Sequence, residues 1–153
     1  MIERPLTEGE RALVARVFGA AVDPGPVRIR QQKYWMWQPA WVTMAPDGDL
    51  WFHPNGDNCC ADFAATDIDR EGHFIHEMTH VWQVQIGGNL LWRRLPWAPY
   101  RYLPLVPGKP FAAYGLEQQA EMVREAWMLA RGLRLPGRPA LADYAAIIPF
   151  FQP

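Results

Sequence analysis

The 153-residue sequence predicts a single α+β domain, spanning residues 1–153, in which a small antiparallel sheet precedes two long helices. Three observations support this prediction. Half of the residues are apolar, which is enough to form a core at this length, and no stretch has the composition of a linker. Short apolar segments separated by turn residues fill the first third of the chain. Helical periodicity dominates two later segments.

The N-terminal third contains the predicted strands. Residues 7–10 (Thr-Glu-Gly-Glu) have the pattern of a capping box, and a helical apolar stripe follows them. Residues 27–31 are typical of a strand. Residues 41–44 and 50–53 flank a Pro-Asp-Gly-Asp turn and predict a hairpin. We therefore expect an antiparallel sheet before the helices.

The most informative motif is His76-Glu77-Met78-Thr79-His80, a His-Glu-x-x-His sequence. Helix positions four apart lie on one face, so both imidazoles can reach one divalent metal ion while Glu77 points at the water bound beside them. This arrangement is typical of zinc hydrolases. We therefore expect His76 and His80 to be zinc ligands.

The flanking residues predict that this motif lies on a helix from about Asp69 to Ile86. Asp67 or Asp69 is suited to cap the first turn, and glycine follows the last residue. His73 and Gln83 extend the polar stripe of this helix. They are either substrate contacts or solvated surface residues.

A third ligand is expected from a second helix, because catalytic zinc takes three protein ligands and leaves one position for water. Periodicity predicts that helix from about Ala113 to Arg131. Glu117 on its polar stripe is our choice of ligand, with Glu121 as the alternative. Tyr114 lies one turn earlier on the same face, where it either donates a hydrogen bond to the reaction's oxyanion or packs structurally.

The two motifs together resemble the gluzincins, the thermolysin-type zinc metallopeptidases. Those proteins pair His-Glu-x-x-His with Glu-x-x-x-Asp or Glu-x-x-Ala-Asp on a second helix, and this chain has Glu-x-x-Ala-Glu at residues 117–121. The resemblance covers about residues 40–132 and implies a zincin-like fold with Glu117 as third ligand. Glu121 then stands where the family has an aspartate that orients a zinc histidine.

Residues 72–83 and 114–121 also resemble small bacterial Vgr-related proteins and the peptidase modules found with contractile injection systems. This resemblance implies a component that a secretion machine loads or exports. The gluzincin resemblance implies hydrolysis of a peptide or protein substrate. The chemistry of a zinc-bound water makes Glu77 the expected general base, with Tyr114 as a candidate donor to the oxyanion.

Charge and composition give no support for a nucleic-acid-binding, signal-peptide-bearing or transmembrane protein. The formal charge of −1 and the lack of a basic repeat give no reason to expect a nucleic-acid partner. The N-terminus lacks a signal-peptide pattern and no apolar run is long enough to span a bilayer, so we expect a cytoplasmic protein without a transmembrane segment. Cys59 and Cys60 are adjacent and are expected to be reduced.

Residues 87–113 separate the two predicted helices and form an insert rich in Trp, Pro and Arg. Asp and Glu are absent from Met78 to Leu116. The prolines exclude a long helix, so we expect an irregular wall over or beside the metal site. The wall either contacts an anionic partner or is stiffened by its own Trp and Pro residues.

Three functions are compatible with these motifs. The first is a zinc-dependent metallopeptidase. The second is a non-catalytic metal-binding or interaction module of a secretion or injection system, and the third is a hydrolase of a non-protein amide such as a cell-wall crosslink. Glu77 favours catalysis, because a purely structural metal site has no use for a general base.

Overall fold

Four helices and a three-stranded sheet form the fold in a computed structural model, which describes residues 2–87 and 99–153. The predicted α+β class is confirmed. In chain order the elements are β1 (Ile2–Pro5), α1 (Glu8–Phe18), β2 (Arg28–Gln31), β3 (Leu50–Phe52), α2 (Ile68–Gln85), α3 (Leu116–Ala130) and α4 (Leu141–Ile147).

The sheet has the order β1-β2-β3 and is mixed. β1 pairs antiparallel with β2, with Glu3 opposite Arg30, whereas β2 pairs parallel with β3, with Arg30 opposite Trp51. The prediction of an antiparallel sheet is therefore wrong for the second pair, and β1 was not predicted. Residues 32–49 carry the chain back along the sheet, so that β3 runs in the same direction as β2.

The predicted hairpin is reduced to one bridge between Met44 and Trp51. The amide of Gln38 replaces the missing ladder, since its Nε2 donates to the carbonyl oxygens of Val42 (2.8 Å) and Trp51 (3.1 Å). Its Oε1 accepts from the Tyr34 amide (2.8 Å). One buried side chain therefore supports the backbone where the sequence predicted a strand.

We call residues 32–44 the aromatic loop. Trp35, Met36, Trp37 and Trp41 are exposed on it, and Trp41 reaches 80% exposure. The rings of Trp35 and Trp37 meet edge to face with centroids 6.0 Å apart. Large apolar side chains are thus presented to solvent by a loop whose backbone is anchored from inside.

The capping box predicted for α1 is confirmed. Thr7 Oγ1 accepts from the Glu10 amide (3.0 Å), and the Glu10 carboxylate accepts from the Thr7 amide (2.8 Å). The same carboxylate, which is fully buried, accepts from both terminal nitrogens of Arg4 and from the Phe63 amide. This network joins β1 and α1 to the segment that leads into α2.

The two predicted long helices are present and pack against each other. α2 lies within one residue of its predicted bounds and has Asp67 as its N-cap, and α3 begins three residues later than predicted. Their facing surfaces bury apolar side chains that include Ile75, Met78 and Val123. None of the helices in residues 2–87 and 99–153 is long and apolar enough to cross a membrane.

The described part of the insert, residues 99–113, is irregular apart from a single 3-10 turn at Phe111–Ala113, as the prolines predicted. Its arginines and tryptophans at positions 92–97 lie outside the described residues.

Candidate metal centre

α2 presents one apolar face and one polar face, and this division positions the site. Ile75, Met78 and Val81 are fully buried in the core, whereas His76 and His80 face α3. The helix begins where Asp67 Oδ1 accepts from the Arg70 amide (2.9 Å). Its apolar periodicity therefore fixes the direction of both imidazoles.

α3 supplies the third group. Its buried Glu117 places Oε2 3.2 Å from Nε2 of His76 and 3.2 Å from Nε2 of His80. The candidate ligand atoms of these three residues lie within 4.8 Å of one another. His76, His80 and Glu117 therefore form a buried group that could hold a metal ion.

A separate partner orients each imidazole. On His76, Nδ1 lies 3.2 Å from Glu121 Oε2, and the other oxygen of Glu121 accepts from Arg124 Nη1 (3.0 Å). On His80, Nδ1 lies 2.8 Å from Oε1 of Gln83, a buried residue. Gln83 is therefore a buried hydrogen-bond partner of a candidate ligand. The sequence predicted a substrate contact or a solvated surface residue at this position.

The amide of Gln83 continues this network into α3. Its Nε2 donates to the Leu116 carbonyl (3.0 Å) and to Gln119 Oε1 (2.9 Å). Gln119 in turn donates to the carbonyl oxygens of Phe111 and Tyr114. The orientation of His80 is therefore coupled to the turn that precedes α3.

The electrostatics of His76 favour a proton on its ring when no metal is present. Burial lowers the pKa of His76, but its hydrogen bonds to Glu117 and Glu121 outweigh that effect and raise the pKa to about 9. Glu121 shows the complementary effect: burial raises its pKa, and the stronger influence of His76 and Arg124 leaves the pKa below its ordinary value. A metal ion must therefore displace a proton here.

Glu77 is buried next to this group, and its Oε2 makes no hydrogen bond within the described residues. A buried carboxylate oxygen normally has a partner. Glu77 and His76 both line an open cleft of about 1390 Å³. Glu77 is therefore a buried carboxylate in the cleft wall with hydrogen-bonding capacity that the described residues do not use.

The cleft walls come from five parts of the chain. Residues 41–43 of the aromatic loop form one side and residues 100–105 another, and α2, α3 and residues 137–139 complete it. Tyr100 is 55% exposed and stacks on the His76 ring with centroids 5.9 Å apart. Nothing in the sequence distinguished Tyr100 from Tyr102, the other tyrosine of the insert.

Tyr114 lies elsewhere. It is buried, its hydroxyl accepts from the Val106 amide (3.2 Å), and Lys109 Nζ lies 4.2 Å from its ring centroid. The structure does not bring it into the cleft wall with Glu77. Residues 50–53, the second arm of the predicted hairpin, are likewise absent from the cleft wall.

Side chains of α3 and α4 hold the wall formed by residues 100–105. The Tyr102 hydroxyl donates to Glu125, which also accepts from the Tyr144 hydroxyl (2.8 Å) and from Arg138 Nε (2.7 Å). Gln118 Nε2 donates to the Arg101 carbonyl (2.7 Å). The helix that carries Glu117 therefore also supports the opposite wall of the cleft.

The fold and the site together define an α+β domain with a buried group of side chains suited to metal binding. Comparison with known proteins identifies the family of this domain. No family model matches the chain. The type VI secretion system spike protein VgrG2b of Pseudomonas aeruginosa is 40% identical over 132 residues, a match that covers 80% of this chain and 13% of that protein. The chain therefore spans about an eighth of the relative that it matches.

A solved structure matches over nearly the whole chain. The effector domain of Pseudomonas aeruginosa VgrG2b is 34% identical, with a TM-score of 0.75, over 94% of this chain and 80% of that domain. The chain belongs to the family of the VgrG2b effector domain. The predicted link to Vgr-related secretion proteins is thereby confirmed.

Proposed function

We propose that this protein is a zinc-dependent metallopeptidase of zincin type, with His76, His80 and Glu117 as zinc ligands and Glu77 as general base. The observation that carries the proposal is the buried carboxylate of Glu77, which lies in the wall of an open cleft beside the ligand group and whose Oε2 has no hydrogen-bond partner within the described residues. A metal site that only stabilised the fold would need neither the cleft nor a free carboxylate beside it.

The donor set fits zinc. Two imidazole nitrogens and one carboxylate oxygen are a known ligand combination of catalytic zinc, and buried partners orient both imidazoles. When bound, zinc supplies Lewis acidity, which polarises a carbonyl group and lowers the pKa of water.

Glu77 performs the proton transfers in this scheme. Its carboxylate takes a proton from water as the water oxygen bonds to the carbonyl carbon of the substrate. It then gives that proton to the amide nitrogen as the carbon–nitrogen bond breaks, so the products are a carboxylate and an amine. The Tyr114 hydroxyl, proposed from sequence as the oxyanion donor, accepts from the Val106 amide. It would have to leave that contact to reach the oxyanion.

The family assignment supports a role in a secretion system. The matched structure is an effector domain, and the matched full-length protein is a spike protein of a type VI secretion system. We infer that this domain is likewise exported by a secretion machine from the cytoplasm where it is made, and that it acts as a single unit over residues 1–153.

The second candidate is a metal-binding or interaction module of such a system without catalysis. The exposed tryptophans of the aromatic loop favour it, because large exposed apolar side chains are typical of contact surfaces. In that case the metal serves only to join α2 and α3.

One substitution separates the two candidates. Glu77→Gln keeps the size of the side chain and removes the base, so the variant should bind zinc normally and cleave a peptide library at least about 100-fold more slowly than the wild type. Glu8→Gln, an exposed change on α1, serves as the control. If the zinc-loaded wild type cleaves nothing in a chelator-sensitive way, or if Glu77→Gln cleaves equally fast, the module replaces the peptidase.

A further inference from the structure

We infer that His73 and Arg124 form a subsite next to Glu77 that binds a carboxylate group of the substrate, on a residue close to the scissile amide. The inference rests on the proposed peptidase function and adds a substrate class to it. Both side chains line the same cleft as Glu77.

The ring of His73 is held in a fixed position. His73 lies one turn before Glu77 on α2, and its Nε2 is 2.8 Å from Thr43 Oγ1. The Asn58 side chain donates to the same hydroxyl oxygen (2.7 Å), and Phe52 meets the ring edge to face with centroids 6.4 Å apart. Such support suits a side chain that recognises a ligand.

The hydrogen bonds favour one position for the His73 proton. Thr43 Oγ1 already accepts from Asn58, so we assign its own proton to His73 Nε2. In this assignment the ring proton is on Nδ1, which has no partner within the described residues. Burial lowers the pKa of His73, so the ring is neutral at neutral pH and carries one N–H donor.

Arg124 brings a positive charge close to this donor. Its side chain lies against Gly72, the residue before His73: a Cβ at Gly72 would be 3.4 Å from both Cγ and Nε of Arg124. The side chain is 31% exposed, and Nη1 donates to Glu121. Its guanidinium makes no further hydrogen bond within residues 2–87 and 99–153, so donors remain for a ligand.

These two groups select for an anionic ligand. The nearby carboxylate of Glu121 is shared between Arg124 and His76, so it only partly balances the guanidinium. A substrate carboxylate can accept from the guanidinium and from the imidazole N–H, whereas a neutral amide would leave a charged donor poorly paired. Aspartate, glutamate and a free C-terminus all offer this group.

Two matched inhibitors test the subsite on the zinc-loaded protein. Both are peptide hydroxamates that chelate the metal, and they differ only in one side chain, aspartate in one and asparagine in the other. Calorimetry should show that the aspartate compound binds at least about 10-fold more tightly, the usual advantage of a charge-assisted hydrogen bond. A third hydroxamate, with an asparagine side chain and a free C-terminal carboxylate, distinguishes the two sources of the anion.

The outcomes separate the subsite from the metal centre. Equal binding of the first two compounds, together with no gain from the terminal carboxylate, would overturn the subsite and leave the peptidase proposal intact. Binding of neither compound would overturn the metal centre, and the subsite with it.

Substitutions in the protein identify which residues cause the preference for the aspartate compound. Arg124→Gln and His73→Phe should each remove most of the preference for the aspartate compound while still binding the asparagine compound. Arg101→Gln, which removes an exposed charge lining the same cleft, should keep the preference. Zinc content measured in parallel verifies that each variant is folded, and Arg124→Lys, which retains the charge beside Glu121, should keep part of the preference.

A spectroscopic measurement tests the role of His73 without any substitution in the protein. Nitrogen-15 NMR of histidine-labelled protein should show the His73 proton on Nδ1, and the aspartate compound should shift that resonance more than the asparagine compound. A proton on Nε2, or equal shifts from the two compounds, would overturn the role of His73.

Discussion

Oε2 of Glu121 lies 3.2 Å from Nδ1 of His76, and Glu117 contacts Nε2, the other nitrogen of the same ring. His80 has a glutamine in the equivalent place, at 2.8 Å from its Nδ1. The two candidate ligands therefore differ in basicity, because a carboxylate partner makes an imidazole more basic than an amide partner does. Glu121 is also longer by one methylene than the aspartate of the gluzincins and still reaches the ring.

Glu121→Gln should weaken zinc affinity by roughly 10 to 100-fold, because it removes the charge that holds the His76 ring. Zinc affinity is measured by competition with a chromogenic chelator, and circular dichroism checks the fold. Glu8→Gln is the matched control. Unchanged affinity in Glu121→Gln would make Glu121 an ordinary surface partner of Arg124.

His80→Ala should remove nearly all bound zinc, since two ligands alone cannot retain the ion at micromolar concentrations. Metal analysis of purified protein gives the stoichiometry, with about one zinc expected in the wild type. His53→Asn is a suitable control, because His53 lies outside the site and its Nδ1 accepts from the Asn55 amide, with no other side-chain hydrogen bond within the described residues. Full zinc content in His80→Ala would contradict the ligand assignment.

The metal-free protein should lose stability as the pH rises from about 6.5 to about 9. His76 has a folded pKa of about 9, above its ordinary 6.5, so the folded state binds more protons than the unfolded state in this range. The stabilisation is fully present below about 6.5 and is lost on passing the folded pKa. Urea denaturation in the presence of a chelator measures it, and His76→Gln should show a smaller decrease.

Zinc binding should show the opposite trend over the same range. The metal displaces the proton of His76, so affinity should rise with pH until about 9. Affinity that is independent of pH between 6.5 and 9 would show that His76 is already deprotonated in the free protein.

Tyr102→Phe should destabilise the protein by about 1–3 kcal/mol, because the buried Glu125 loses one of its donors. Since Tyr102 anchors residues 100–105, the change should also weaken substrate or inhibitor binding in the cleft without altering zinc content. Thermal denaturation and calorimetry provide the two readouts. Tyr34→Phe is the control, as the Tyr34 hydroxyl makes no hydrogen bond within the described residues.

Helical periodicity predicted the parts of the site that lie on α2 and α3. The structure brings His76, His80, Glu117 and Glu121 together because the two helices pack with their polar stripes facing. Positions three and four apart on a helix have a fixed geometry, so the sequence indicates which of these side chains share a face.

The remaining features depend on contacts between distant segments, which local patterns do not encode. The parallel pairing of β3 follows from a long return segment and from one amide, that of Gln38, which fills the place of a strand. Tyr100 meets His76 across a large sequence separation, and the hydrogen bond of the nearby Tyr102 to Glu125 spans 23 residues. Tyr114 shares a sequence neighbourhood with Glu117, but its hydroxyl contacts Val106 instead of the cleft.

The way in which the aromatic loop is anchored allows its exposed side chains to be replaced without moving its backbone. Its backbone depends on the inward-facing amide of Gln38, whereas the side chains of Trp35, Met36 and Trp37 are exposed to solvent. Substitutions at those three positions can alter what the surface adheres to while the histidine-bearing helix stays as it is. The domain thus separates its candidate metal centre, which is carried by helices, from an outer surface carried by a loop, as an antibody separates its framework from its variable loops.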